Sequence, residues 1–391
     1  MVANFFRSRL MFRLVAIIFA TGFLSACELE LGGTGPVVNT RAPVPVALLV
    51  PFGSSESNHA ILATSLQNAA QLAVSDLDGV QIELRVYKTA GSADAAAAAA
   101  KRAADEGAKI ILGPVFADAA NAAGNAVSSR GISVLSFSNN TEIAGGNVFI
   151  LGHTFENTAQ RLVSYAASQG LGNVLVVHAN NLTGQIGRKA VERAAAATGA
   201  TYTGAASYEF SQQGVISAVR DIAQQVRNTD TNTLIFASDT AGALPILVQL
   251  LPENGIDPKE IKFMGLTRWD IPTQTLSLGG LQGGWFALPD PALAGSFRDR
   301  YVTAYGQPPH PLAGIAYDGV AAIGALLASG DTNPLSRERL TQSKGFVGVN
   351  GVFRLMPNGT NQRGMAVVEI ENNRNKVIDP APRRFGAPAG L

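Results

Sequence analysis

Continuous apolar runs and amphipathic stretches alternate along most of this chain. Residues 46–50 are apolar throughout and stop at Pro51 and Gly53, the pattern of a strand covered on both faces. Ile61, Leu62, Leu66, Ala69, Ala70 and Ala73 then recur at helical spacing. A second strand is predicted over 82–87, an alanine-rich helix over 93–106, and a third strand over 109–112, closed by Gly113-Pro114. A helix over 116–129 and a strand over 132–137 complete this first series. After Gly152 the rhythm restarts, with helices over 157–168, 187–197, 215–226 and 243–250 and strands over 173–177, 201–208 and 233–236. Such alternation, given twice, predicts the α/β class, with two doubly wound, Rossmann-like lobes built on parallel sheets.

Ligands of parallel α/β sheets bind beyond the carboxyl ends of the strands. A site is therefore expected in the loops 51–57, 113–118, 136–141, 178–185, 237–240 and 267–270. These are rich in Ser, Asn, Thr and Gly, which hydrogen-bond without charge and suit holding a small polar molecule.

The amino terminus follows a different pattern. Arg7, Arg9 and Arg13 precede an apolar run over 14–23, which ends in Leu24-Ser25-Ala26-Cys27. About 20 apolar residues are needed to span a bilayer, so this shorter run reads as a secretory signal over 1–26. The four-residue ending resembles the lipobox of bacterial lipoproteins, which implies lipidation of Cys27, the only cysteine of the chain. Residues 27–45 read as a flexible tether, and 379–391 as a disordered tail.

The signal holds three arginines and no acid, so the chain beyond it carries 27 basic and 29 acidic groups, a net −2. That balance, without a Lys/Arg cluster in the body, excludes a nucleic-acid partner. Gly53-Ser54-Ser55 and the histidines His59, His153, His178 and His310 form no G-x-S-x-G elbow, and a non-enzymatic protein is expected. No His or Cys pair has metal-ligand spacing, and the glycines of 278–285 precede an apolar stretch instead of opening a helix. No metal and no cofactor is therefore expected.

Several segments together resemble one family. Val46-Ala47-Leu48-Leu49-Val50-Pro51-Phe52, Gln67-Asn68-Ala69-Ala70, Ile111-Leu112-Gly113-Pro114, Ile132-Ser133-Val134-Leu135-Ser136 and Ala316-Tyr317-Asp318-Gly319-Val320 are similar to the type I periplasmic binding proteins of the leucine/isoleucine/valine kind. The resemblance implies two lobes with a cleft between them, joined by three crossings near 152–155, 286–290 and 358–364. One lobe would then comprise 46–152 with 290–358, and the other 153–289 with 359–378.

From these strand-end loops, ligand contacts are expected from Phe116, Ser136, Ser138, Asn139 and Asn140 in one lobe. Asn180, Thr183, Asp239, Arg268 and Trp269 are their counterparts in the other. Where amino-acid binders of this family carry serines after Gly-Pro, this chain has Phe116-Ala117-Asp118. Asp239 is read either as partner of a ligand ammonium or, with Ser238, as a helix cap. The implied partners are a small polar ligand, a membrane reached through the anchor, and an ABC permease for amino acid transport. A narrower resemblance, carried by Gly113-Pro114-Val115-Phe116, Ser136-Phe137-Ser138-Asn139-Asn140 and Phe155-Glu156-Asn157, is to penicillin-binding-protein activator lipoproteins. That alternative would make the partner a penicillin-binding protein. Both place the protein in the periplasm, and Glu28, in place of the Asp associated with inner-membrane retention, points to the outer membrane.

Overall fold

The computed structural model describes residues 35–238 and 240–386. The signal segment, Cys27 and Asp239 lie outside the described residues. Strands β1 (Val44–Val50), β2 (Ile82–Lys88), β3 (Ile110–Leu112), β4 (Val134–Ser136) and β5 (Val148–Ile150) form a parallel sheet in the order β2-β1-β3-β4-β5. Helices α1 (Ser57–Ser75), α2 (Ala93–Asp105) and α3 (Ala117–Val127) connect them. Alternate residues of β1 enter different cores. Val46, Leu48 and Val50 pack towards α1, whereas Ala47 and Leu49 pack towards α2 and α3. Burial on both faces is why the sequence is continuously apolar there.

The second sheet repeats this scheme and adds to it. Helices α4 (Phe155–Ser168), α5 (Leu182–Thr198), α6 (Gln212–Arg227) and α7 (Ala243–Glu253) are interleaved with β6 (Asn173–Ala179), β7 (Thr201–Tyr208), β8 (Thr233–Ala237), β9 (Lys262–Gly265) and β10 (Trp285–Leu288). Helices α8 (Pro291–Tyr305) and α9 (Ala313–Leu327) then pack back on the first lobe, followed by the short α10 (Arg337–Leu340). The antiparallel strands β11 (Phe346–Gly348), β12 (Gly351–Leu355) and β13 (Asn361–Arg363) form a small third sheet. Finally β14 (Ala366–Glu371) and β15 (Arg374–Asp379) join the second sheet antiparallel, giving the order β15-β14-β10-β9-β8-β6-β7.

Three helices begin two to five residues earlier than apolar periodicity alone indicates. Each start is set by a polar cap: Thr154 accepts from the Asn157 N–H at 3.2 Å, Asn181 from Gly184 at 2.8 Å and Ser211 from Gly214 at 3.0 Å. The ends of the body also differ from the sequence reading. Strand β1 already includes Val44 and Pro45, and Val38, at 9% exposure, belongs to the first lobe's core. The segment read as tether therefore packs on the first lobe at Val38 and again at Val44, with 39–43 exposed between them. At the other end β15 runs through Asp379, whose carboxylate accepts from Arg161 at 2.6 Å, so ordered structure passes the expected start of the tail. Among the described residues no helix is long and apolar enough to cross a membrane.

Candidate ligand-binding site

The chain leaves the first sheet at the carboxyl end of β5 to begin α4, and leaves the second at the carboxyl end of β10 to begin α8. Because β1, β3 and β4 run parallel to β5, their carboxyl ends share the edge that faces the second lobe. The carboxyl ends of β6, β8 and β9 likewise share with β10 the edge that faces the first. Two sets of polar loops thus oppose one another across the interlobe space, joined by three chain crossings.

A buried polar network ties the crossings together. Asn157 donates to Asn361 Oδ1 at 2.6 Å, and Asn361 donates to the carbonyls of Ile150 and Gly152 at 2.8 and 2.9 Å. The Arg363 guanidinium donates through Nε to the Leu151 carbonyl at 2.9 Å and pairs through Nη1 with Asp318 at 2.8 Å. The side chains of this pair are 1% and 0% exposed. Asn350 donates from its side chain to the same Asp318 oxygen, Oδ2, at 2.9 Å and from its backbone N–H to Oδ1 at 3.3 Å, and its carbonyl accepts from Asp290 N–H at 3.4 Å in the second crossing. Burial pushes the Asp318 carboxyl up from its usual range, while Arg363 opposes that shift. The pair is enclosed and hydrogen-bonded on both sides, the condition under which a buried ion pair is tolerated.

His153 lies in the first crossing. The residue as a whole is half-buried, but its Nδ1 is sealed from solvent and has no hydrogen-bond partner among the described residues. Burial holds its pKa well below the ordinary histidine value, and the nearby Arg363 and Arg268 push it the same way. The imidazole is therefore neutral at neutral pH.

The residues expected to hold a ligand divide into two groups. Trp269 is a correction to the sequence reading: it is fully buried in the second lobe's core, against Phe286 and Phe236 at ring distances of 5.9 and 6.5 Å. Ser136 is a second correction. It is fully buried, donates to the Pro114 carbonyl at 3.0 Å and accepts from Ser138 N–H at 3.1 Å, so it shapes the loop. Ser138 is buried too and accepts from Asn140 N–H at 3.1 Å, while Asn140 caps the following turn through Glu142 N–H at 2.9 Å. The remaining positions reach the surface. Asn139, Asn180 and Thr183 are exposed and Phe116 and Arg268 are half-buried. Asn180 donates to Glu209 at 3.0 Å.

Some neighbours of these residues were not legible in the sequence. His59 stacks on Phe116 with ring centroids 4.7 Å apart, and its Nδ1 is 2.8 Å from Ser54 Oγ. This Ser–His contact braces the loop after β1, and Ser54 Oγ also accepts from Glu56 N–H at 3.2 Å. Arg268 makes a two-pronged pair with Asp270, Nε to Oδ1 at 2.9 Å and Nη2 to Oδ2 at 2.5 Å. Both residues line a cavity of about 560 Å³ that draws walls from both lobes and includes the second crossing at Leu288 and Pro289.

The comparisons with known proteins fit this geometry. The family model described as periplasmic binding protein matches residues 43–375. The chain belongs to the periplasmic binding protein family. A branched-chain amino acid ABC transporter periplasmic ligand-binding protein from Burkholderia xenovorans superposes with a TM-score of 0.68 at 18% identity, covering 87% of this chain and 94% of that one. An ABC transporter substrate-binding protein from Desulfitobacterium hafniense, in complex with Leu, gives 0.64 at 19% identity, with 86% and 100% covered. An uncharacterized protein of Rickettsia prowazekii is 20% identical over 259 residues, which is 65% of this chain and 68% of that protein. At these identities the solved structures establish the type I fold of the periplasmic binding protein, with its two lobes.

Proposed function

We propose that this periplasmic binding protein is the lipid-anchored receptor of an ABC importer, taking a small polar or amino-acid-like ligand between its lobes. The observation that carries the reading is the opposition of two carboxyl-terminal sheet edges across a space bounded by three tied crossings. Closure of the lobes over a ligand would present a permease with a shape the empty protein rarely adopts. Phe116 and Asn139 in the first lobe and Thr183 and Arg268 in the second are the proposed contacts, because they stand at these edges and reach the surface. Import, rather than contact with a penicillin-binding protein, is the reading favoured by similarity to transporter receptors.

The anchor rests on Leu24-Ser25-Ala26-Cys27. Cys27→Ser is expected to abolish acyl labelling and release the protein from the membrane fraction. For ligand binding, the full-length protein is screened by thermal shift and calorimetry against amino acids, small amides and small organic acids. A ligand at 100 times its dissociation constant stabilises by about 2.7 kcal/mol. Stabilisation by one class of compound supports the reading, and silence across all of them, with capture of a penicillin-binding protein, refutes it.

A further inference from the structure

Beyond Asp379 the chain turns back across the hinge. Its root is fixed in the second lobe by Arg161 of α4. That guanidinium donates through Nη2 to Asp379 Oδ2 at 2.6 Å and to the Pro380 carbonyl at 3.3 Å. Through Nε it also donates to the carbonyl of Met365, just ahead of β14, at 2.7 Å. Ala381 follows, 8% exposed, and belongs to the second lobe's core.

The next residue lies along the third crossing. Pro382 covers Gly364, where a Cβ would stand 3.0 Å from the proline Cγ and 3.1 Å from its carbonyl oxygen. The same Cβ would meet Val352 Cγ2 at 2.7 Å, so Gly364 is enclosed between β12 and the returning chain. Glycine is the residue that permits so close an approach of backbones.

The far end rests on the first lobe. Strand β12 belongs there, because Phe353 and Leu355 are buried in the first lobe's core. Between them stands Arg354, half-buried, with its guanidinium fixed on two sides. Its Nε donates to Gln362 Oε1 at 2.7 Å and its Nη1 to the Ser343 carbonyl at 3.2 Å. The half-buried ring of Phe385 meets this guanidinium, whose carbon is 4.7 Å from the ring centroid. That is cation–π distance.

Residues 380–386 therefore run from the second lobe, past the third crossing, to the first. All three crossings are complete before β14 begins, so the path of the chain between the lobes does not require this segment. We propose that residues 380–386 act as a strap, a fourth link between the lobes that is fastened by Phe385 on Arg354 and sets how freely the hinge bends. Hinge bending is absorbed by a few residues at the crossings, and a contact fastened across them favours the arrangement in which it is made. A single ring on a guanidinium is a weak fastening, which biases the hinge without locking it. The inference concerns the hinge and is independent of what the cleft takes up.

The test compares the full-length protein with Phe385→Ala and Phe385→Trp, all without ligand. Tryptophan keeps an aromatic face for Arg354 and is expected to behave as the parent. In Phe385→Ala the Arg363 and Gly364 amides are expected to exchange with solvent about two- to fivefold faster, the factor that one exposed cation–π contact contributes. Dipolar distances between spin labels at Asn121 on α3 and Lys189 on α5, exposed positions on opposite lobes, are expected to spread beyond the parent's distribution. Truncation after Asp379 removes the whole strap and is expected to spread them further. Interlobe distances unchanged in Phe385→Ala would overturn the proposal. Faster amide exchange without that spread would overturn it equally, since the segment would then only cover the crossing. A spread of the same size in Phe385→Trp would contradict the fastening on Arg354.

Discussion

At the scale of single residues, the Arg363–Asp318 pair ties the third crossing to helix α9 of the first lobe. Both charges are buried, so removing one leaves the other without compensation. Arg363→Leu is expected to lower stability by about 3–5 kcal/mol. The double change with Asp318→Leu is expected to recover part of that loss, and urea unfolding of both variants checks the difference. His153 gives a prediction in pH. Its folded-state pKa is depressed by burial, reinforced by Arg363 and Arg268, so the unfolded chain binds more protons than the native one once the pH falls. The stabilisation from keeping it neutral is complete above the unfolded value of about 6.5 and is lost as pH drops below it towards the depressed folded value. Asp318, which faces Arg363, has a raised pKa and contributes in the opposite sense over its own range. Thermal melts from pH 7.5 to 5 are expected to show falling stability, with a shallower slope in His153→Gln. An equal slope in both proteins would remove His153 from the account.

At the scale of elements, the parallel strands and their helices were legible because burial on two faces demands unbroken apolar runs and burial on one stripe demands helical spacing. Strands β3, β4 and β5 are only three residues long, and β5 was not read as a strand at all. A segment that short carries too little periodicity to stand out, and β5 is fixed by its pairing with β4. Of the antiparallel strands only β13 falls in a segment read as a crossing; β15 was also missed, since it is largely exposed and alternates little. Trp269 was misplaced for a related reason. A polar loop sequence, Thr267-Arg268-Trp269-Asp270, hides the fact that its indole turns back into the core. Two glycines make room for it: a Cβ on Gly265 would lie 2.4 Å from the indole ring, and one on Gly284 would lie 2.8 Å away. Gly265→Ala is therefore expected to lower stability by about 1–3 kcal/mol, the usual range for overpacking. A melting temperature unchanged from the parent would show that the indole is free to move. At the amino end, Val38 anchors the segment leading into β1. Val38→Ser is expected to cost about 1.5–3 kcal/mol in chemical unfolding, by loss of a buried apolar side chain.

At the scale of the whole molecule, two largely parallel sheets present the carboxyl ends of their parallel strands to each other, and the crossings between them form a compact polar knot. The loops singled out in the sequence do follow the carboxyl ends of their strands, but which of their side chains reach the interlobe space was not legible. Loop-internal hydrogen bonds claim Ser136, Ser138 and Asn140, and such bonds depend on a three-dimensional path that composition does not encode.

The central claim is that a ligand held between the lobes draws them together. Spin labels at Asn121 on α3 and Lys189 on α5, both exposed and on opposite lobes, report that separation without entering the cavity. Pulsed dipolar distances are recorded without ligand, then with each compound that stabilises the protein in the thermal-shift screen, then with one that does not. The account predicts a distribution that shifts to a shorter, narrower distance with the compound that binds, and stays at the ligand-free distance with compounds that do not. A distribution that stays unchanged when calorimetry shows the site to be saturated would contradict it.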